Sequence, residues 1–465
     1  MEKKAPLRRS GRGLYSPNVF LRIRPPTFDG GGHDMRGDSV AKSLVAWSEK
    51  SVTLSTEYMF SRGSKEYSFA TRVIQPEESQ DEACGALLDG VVESFTSLSA
   101  GKNILFLAYG QTGTGKTHTM FGPEACLSSA ERSDDWGLFP RVCFEVLQTM
   151  ESKGPGTQYI LTASAVEFYL GVCMDLLHAG AQVTIGDDHR PVGMEQRPVR
   201  QMEDAMDYLR EVSKNRTTRH TAMNMASEEH SGSSRSHAAL ILNLTQLNVT
   251  SGKIVETTFN LVDLAGAERP DKVVEEKGGE RATMSDVMMA AYFGNEMPTG
   301  GQGLVINYEL AMLRTEISRA TEAFKGGRRY NAPNQSSTET IKFLGACLDG
   351  SAQMHMVVCL SLAPQNGWET WFSLTYGADL ANLRAPITLQ RARHLDKALA
   401  RALKEAKAAA EAVRVPPAPG APSERFFAKK QAAARKTAEA AERLTALSQQ
   451  LELSPKGRGG EEEKK

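Results

Sequence analysis

Nowhere does the chain hold the run of about 18 consecutive apolar residues that a membrane-spanning helix needs. Its first thirteen residues, MEKKAPLRRSGRG, are basic but have no apolar core, so they do not read as a secretory signal. The six cysteines, at 84, 126, 143, 173, 347 and 359, form no C-x-x-C pair. Dispersed single cysteines predict reduced thiols in cytosol, most of them buried. No apolar heptad repeat is sustained over three to four heptads, which argues against a stable coiled coil. A one-sided charge is missing too, since the net charge is −1 over 465 residues.

That near-neutrality hides an uneven distribution. Residues 388–465 carry 17 Lys and Arg against 10 Asp and Glu, and residues 1–13 carry five against one. The body, 14–387, is left at −12. An acidic body between two basic ends argues against a nucleic-acid-binding core. With 40% hydrophobic residues and 24% charged, the composition supports a real core, and the length allows one large domain with extensions or two to three ordinary domains.

The most informative residues are Ala108–Thr117, AYGQTGTGKT. From Gly110 they fit G-x-x-x-x-G-K-[ST], through Gln111, Thr112, Gly113, Thr114, Gly115, Lys116 and Thr117. An apolar strand candidate, Ile104–Tyr109, precedes them, and Lys116–Met120 can open a helix. Strand, glycine-rich turn and helix start together cradle anions. Glycine backbones approach phosphate oxygens, the Lys supplies a cation, and the Thr hydroxyl ligates Mg²⁺. Two further elements fit the same chemistry. Phe259–Asp263 reads as a strand ending in Asp and followed by Leu264-Ala265-Gly266-Ala267-Glu268. Such an Asp can hold a water on Mg²⁺, and such a Gly can offer its N–H to a γ-phosphate. Ser233-Ser234-Arg235-Ser236-His237 packs hydroxyls and a cation into five residues.

Strand candidates at Val19–Ile23, Tyr159–Tyr169, Ala238–Val249, Ile254–Asp263 and Met354–Leu362 alternate with helical stretches at 80–99, 137–152, 203–214, 304–325 and 368–383. Interleaving of this kind predicts an α/β fold with a mostly parallel central sheet flanked by helices. Past Pro386 the composition turns Ala-, Lys- and Arg-rich. A helix over 386–414 carries Leu395, Leu399, Leu403 and Ala406 on one face. VPPAPGAPS at 415–423 is a stiff break, a second Ala-rich helix covers 424–452, and 453–465 is expected to be disordered, as is 1–13. Each helix is expected to be solvated or docked on a partner.

AYGQTGTGKTHTM, SSRSH and DLAG-x-E in this order resemble the P-loop, switch I and switch II of the kinesin motor domain. Weaker echoes keep the family's order across 14–385. Arg22-Ile23-Arg24-Pro25 resembles R-x-R-P, Gly137–Arg141 resembles G-x-x-P-R, and Glu167-Phe168-Tyr169 with Asp175-Leu176-Leu177 resembles E-I-Y…D-L-L. Asn215-Arg216 and Thr221–Asn224 resemble N-R-x-x-x-x-T-x-M-N. Ile306-Asn307, Leu310 and Leu313 resemble the switch II helix. Glu369-Thr370, Leu374 and Tyr376-Gly377 resemble the last core helix.

The resemblance implies a P-loop NTPase-type motor fold and an Mg-dependent ATPase with ATP and Mg²⁺ as cofactors. Arg22, Arg24 and Pro25 would border the adenine and His118 would stack on it. Gly110 through Lys116 would wrap the phosphates. Thr117 and Ser234 would ligate Mg²⁺, with Asp263 holding it through water. Gly266 would sense the γ-phosphate, and Arg235 and Glu268 would pair across the switches around the attacking water. The implied partner is the microtubule, made of tubulin, and other axonemal or cytoskeletal proteins could meet the C-terminal helices. The implied location is cytoplasm and cytoskeleton, extending to a ciliary or flagellar axoneme, with no membrane partner.

Departures from the family are concentrated. Between T-x-M-N and SSRSH the family has two residues; this chain has eight, Met225–Gly232, two of them glutamates. The stretch between Glu268 and Ile306 is enlarged. At Ala332–Ile341 the family's V-P-Y-R-D-S-K-L-T-R becomes A-P-N-Q-S-S-T-E-T-I, so Gln335, Thr338 and Ile341 replace three cations. Acidic tubulin would attract such a surface weakly. Ala385-Pro386-Ile387 stands where the family has a docking linker and often a dimerising coil. A structural, weakly motile or non-motile relative fixed in a microtubule or axonemal assembly is therefore the alternative reading.

Overall fold

The computed structural model describes residues 14–26, 42–57, 63–178, 181–186, 190–223, 235–266, 283, 299–332, 338–414 and 424–452. Several expectations lie outside them: the basic arm 1–13, the extension 225–232, Ser233 and Ser234, Glu268, most of 269–298, residues 333–337, the Pro-rich break and 453–465.

In chain order the strands are β1 (Asn18–Ile23), β2 (Leu44–Trp47), β3 (Val52–Ser55), β4 (Ser64–Tyr67), β5 (Arg72–Ile74), β6 (Asn103–Tyr109), β7 (Thr157–Tyr169) and β8 (Val172–Asp175). They continue with β9 (Gln182–Ile185), β10 (Pro191–Val192), β11 (Arg197–Pro198), β12 (His237–Asn248), β13 (Lys253–Asp263), β14 (Ala352–Leu360) and β15 (Arg393–His394). The helices are α1 (Gln80–Leu88), α2 (Val91–Thr96), α3 (Lys116–Phe121), α4 (Leu138–Ser152), α5 (Met202–Met223), α6 (Thr299–Lys325), α7 (Glu339–Ala346), α8 (Gly367–Ala381), α9 (Leu395–Ala412) and α10 (Glu424–Glu452).

The main sheet runs β10-β9-β8-β7-β12-β13-β6-β14-β1-β5, with β11 beside β7 and β15 beside β13; β2–β4 form a small separate sheet. Side chains of the central strands alternate between two cores. On β6, Leu105, Leu107 and Tyr109 join α6, α7 and α8, while Ile104, Phe106 and Ala108 join α1 to α5. Burial on both faces explains why β6 and β14 read as near-continuous apolar runs.

The α/β class and the flanking helices stand, but the sheet is mixed rather than mostly parallel. Pairings of β6 with β13 and β14, and of β1 with β14 and β5, are parallel. From β13 outward through β12, β7, β8 and β9 they are antiparallel. The cause is local: the turn between Asn248 and Lys253 closes a long β12–β13 hairpin, which needs no crossover helix. The helix expected over 80–99 breaks into α1 and α2 at Asp89-Gly90, where Gly90 takes φ 66°.

The C-terminal helices dock one face on the core of this chain itself. α9 and α10 pack on each other and on the β12–β13 turn, burying Leu395, Ala398, Ala402, Ala441, Leu444 and Leu447 against Leu247 and Ile254. The connection from α8 is held along the core. Ala385 exchanges backbone hydrogen bonds with Tyr15 at 2.8 and 3.0 Å, Thr388 N–H donates to Gly350 O at 2.9 Å, and Gln390 N–H to Gly101 O at 2.7 Å.

Candidate functional site

Two parallel neighbours create the site. Asp263 at the tip of β13 lies beside Ala108 at the end of β6, so strand register alone carries the carboxylate to the start of the glycine-rich turn. That turn packs tightly. Gly110 has φ 147°, and a Cβ there would stand 2.4 Å from the Cys359 carbonyl of β14. Only glycine allows the approach. Gly115, at φ 96°, then opens α3.

A cavity of about 730 Å³ lies over this turn, within the range of small-molecule sites. Arg22, Arg24, Pro25, Thr112, Gly113, Thr114, Gly115, Lys116, Thr117 and His118 all line it, so distant sequence segments predicted to share a site do share one. Gly110 and Gln111 sit behind the wall. Lys116 is 7% exposed, and its ammonium donates to their carbonyls at 3.0 and 2.9 Å. Gln111 Nε2 donates to Asn366 Oδ1 at 3.0 Å. Arg22 donates to Thr119 Oγ1 at 2.8 Å, and Arg24 donates to the Gly113 carbonyl. Burial, followed by the nearby Arg22 cation, holds the His118 imidazole below its ordinary pKa. The ring is therefore neutral at pH 7 and suited to stacking on a flat aromatic group.

Thr117 Oγ1 donates to Asp263 Oδ2 at 2.9 Å. The same oxygen accepts from Arg216 of α5 at 3.1 Å. Arg216 also stands 3.8 Å from Glu167 Oε1, which accepts from Ser236 Oγ at 2.7 Å. Both ion pairs have side chains no more than 5% exposed. Asp263 Oδ1, by contrast, is buried with no hydrogen-bond partner among the described residues. A buried carboxylate oxygen without a donor is costly. Beside a threonine hydroxyl, it fits the acceptor of a metal-bound water, so the donor set suits Mg²⁺.

Gly266 is buried at the end of β13, and the turn before it is pinned, since Ala265 N–H donates to His237 Nδ1 at 2.8 Å. Arg235 and Ser236 lead into β12 beside this turn. Ser234 and Glu268 lie outside the described residues. Sequence reasoning missed Glu78, Gln80 and Asp135, which also line the cavity, and gave Arg216 and Glu167 no role. Both stand in quoted motifs, but their pairing emerges only once the sheet is assembled.

These elements match a known architecture. The family model described as kinesin motor domain covers residues 22–289. The chain belongs to the kinesin motor domain family. It is 28% identical over 323 residues to kinesin heavy chain isoform 5C of Rattus norvegicus, covering 68% of this chain and 30% of that protein. Kinesin heavy chain of Drosophila melanogaster is 29% identical over 326 residues, with 69% and 29% covered. The chain thus spans under a third of the length of these relatives. Among solved structures, that of a fast kinesin aligns with TM-score 0.58 at 20% identity, covering 81% of this chain and 94% of the other. The motor domain of the Kar3-like kinesin from Ashbya gossypii gives 0.57 and 20%, covering 79% and 99%. The kinesin motor fold is a nucleotide-binding P-loop domain, and motors of the family bind microtubules. Among the described residues no helix is long and apolar enough to cross a membrane.

The described part of the segment predicted to lack cations, from Thr338 to Ile341, serves other purposes. Thr338 caps α7, accepting from Ile341 N–H at 3.4 Å. Glu339 accepts from Ile185 N–H at 2.6 Å and pairs with Lys342 at 2.7 Å. Ile341 is 1% exposed. Positions 338 and 341 therefore serve capping and packing.

Proposed function

We propose that the chain binds Mg-ATP in the cavity over Lys116 and hydrolyses it as a kinesin-type ATPase acting on microtubules. The observation that carries this reading is that Thr117, which lines the cavity beside Lys116, donates to Asp263, whose second oxygen is buried with no hydrogen-bond partner among the described residues. Arg22, Arg24 and Pro25 border the base and His118 stacks on it. Gly110, Gln111, Thr112, Gly113, Thr114 and Gly115 wrap the phosphates, and Lys116 neutralises their charge. Thr117 and Ser234 would hold Mg²⁺, with Asp263 supporting it through water; the ion would offset charge on the phosphate oxygens. Gly266 offers its N–H to the γ-phosphate. Arg235 and Glu268 pair to enclose the attacking water. Such hydrolysis rests on positioning and charge compensation rather than on covalent chemistry.

The test is the ATPase rate with and without microtubules at two salt concentrations. Turnover is expected in the wild type and only background in Lys116→Ala. No hydrolysis under any condition overturns the enzyme reading, and retained turnover in the variant overturns the P-loop assignment.

Two observations favour the second reading, a weakly motile or non-motile relative fixed in a microtubule or axonemal assembly. Residues 338–341 present no cation, and the segment after α8 is hydrogen-bonded along the core and ends in a docked hairpin. Directed gliding of microtubules over surface-bound protein rules this reading out. A cytoskeletal location is common to both.

A further inference from the structure

We infer that Glu309 is a positioning residue that couples the turn at Leu264–Gly266 to α6 and α7 through His237, a role resting on the nucleotide-switch reading above. His237 opens β12 and Glu309 sits on α6, and their side chains are each 2% exposed. Because Ala265 N–H donates to Nδ1 at 2.8 Å, the neutral ring carries its proton on Nε2. That nitrogen faces Glu309 Oε2 at 3.6 Å and has no hydrogen-bond partner among the described residues. The other carboxylate oxygen accepts from Thr340 Oγ1 of α7 at 3.0 Å. One chain of contacts thus runs from the backbone beside Gly266, through a buried imidazole and a buried carboxylate, into two helices.

The energetics make this chain a switch element. Among the described residues the buried carboxylate is served by one hydroxyl and the buried ring N–H by no acceptor, so both are under-stabilised. Both deficits end together if the 3.6 Å gap closes by a few tenths of an ångström to hydrogen-bond length. The Ala265 N–H sets the orientation of the ring, so a shift of the turn opens or closes the Glu309 contact. α6 is held on the sheet by Ile306, Leu310, Leu313 and Ile317, so it responds as a unit, and Thr340 carries the change into α7. Ligands that differ by one phosphate at Gly266 therefore differ in the α6 position they favour.

The test measures affinities of the full chain, with Mg²⁺ and without microtubules, for fluorescent ADP and for a non-hydrolysable fluorescent ATP analogue. Glu309→Ala is expected to lower the analogue-to-ADP affinity ratio about tenfold with ADP affinity little changed. Glu309→Gln, of equal volume, keeps an oxygen for one of the two donors and is expected to lose about threefold. A merely structural role moves both affinities together and leaves the ratio alone. An unchanged ratio in both variants overturns the inference, and if Glu309→Ala does not fold, Glu309→Gln decides. A chain that binds neither nucleotide overturns the underlying reading and this inference with it, whereas unchanged ratios in a nucleotide-binding chain overturn this inference alone.

Discussion

Arg216 shows how much of a site can rest on a residue that touches no ligand. Its guanidinium lies between Asp263 at 3.1 Å and Glu167 at 3.8 Å, all buried. Without it, two buried carboxylates lose the guanidinium that lies between them. Removing one partner of a buried ion pair costs about 3–5 kcal/mol, because the remaining charge stays buried. Arg216→Ala is accordingly expected to lower stability in a denaturant titration by about that amount. Arg216→Lys is expected to recover only part, since one ammonium cannot reproduce the planar fork. A loss under about 1 kcal/mol would mean that the pair is not buried in solution. The glycine-rich turn was legible because its chemistry demands particular residues at fixed spacing. Arg216 stood in a quoted motif but its pairing did not, and Glu309 and Asp135 stood in none as site residues, because these contacts come from register and packing of distant segments.

Elements were legible in proportion to the regularity of their burial. β6, β12, β13 and β14 lie between two cores and show as apolar runs; the small sheet β2–β4 and the short strands β8–β11 are brief and only partly buried. The C-terminal hairpin misled for a specific reason. Leu395, Leu399 and Ala406 of the expected stripe do meet the contact face, but Leu403 is 50% exposed and Ala398 and Ala402 take part instead. Alanines carry little hydrophobic signal yet let two helices approach closely, so a leucine-weighted reading misses them. Leu447, fully buried, is the test of docking. Leu447→Ala is expected to cost about 2–5 kcal/mol of local stability. Amide exchange should then speed up across α9 and α10 while β6 and β13 stay protected. Leu403→Ala should change nothing beyond about 0.5 kcal/mol. Unaltered exchange in Leu447→Ala would show that the hairpin does not rest on the β12–β13 turn.

At the scale of the whole molecule, docking relocates charge. Residues 388–452 hold 13 Lys and Arg against 7 Asp and Glu, and α9 and α10 sit on the core rather than trailing from it. Their excess of +6 halves the −12 of the body instead of serving as a loose tether. Lys397, Arg401, Lys404 and Lys407 project from α9 as exposed cations. If the chain approaches an acidic lattice, as the proposed function requires, these fixed charges steer it while the body repels. Lys397→Glu combined with Lys404→Glu is therefore expected to weaken microtubule co-sedimentation about five- to tenfold at low salt. Neither position touches the nucleotide cavity, so nucleotide affinity should be unchanged. Raising ionic strength toward 0.15 M, where screening acts over about 8 Å, should shrink the gap between wild type and variant. Equal binding by both proteins at low salt would mean that the acidic body carries a site of its own, formed by contact rather than by steering.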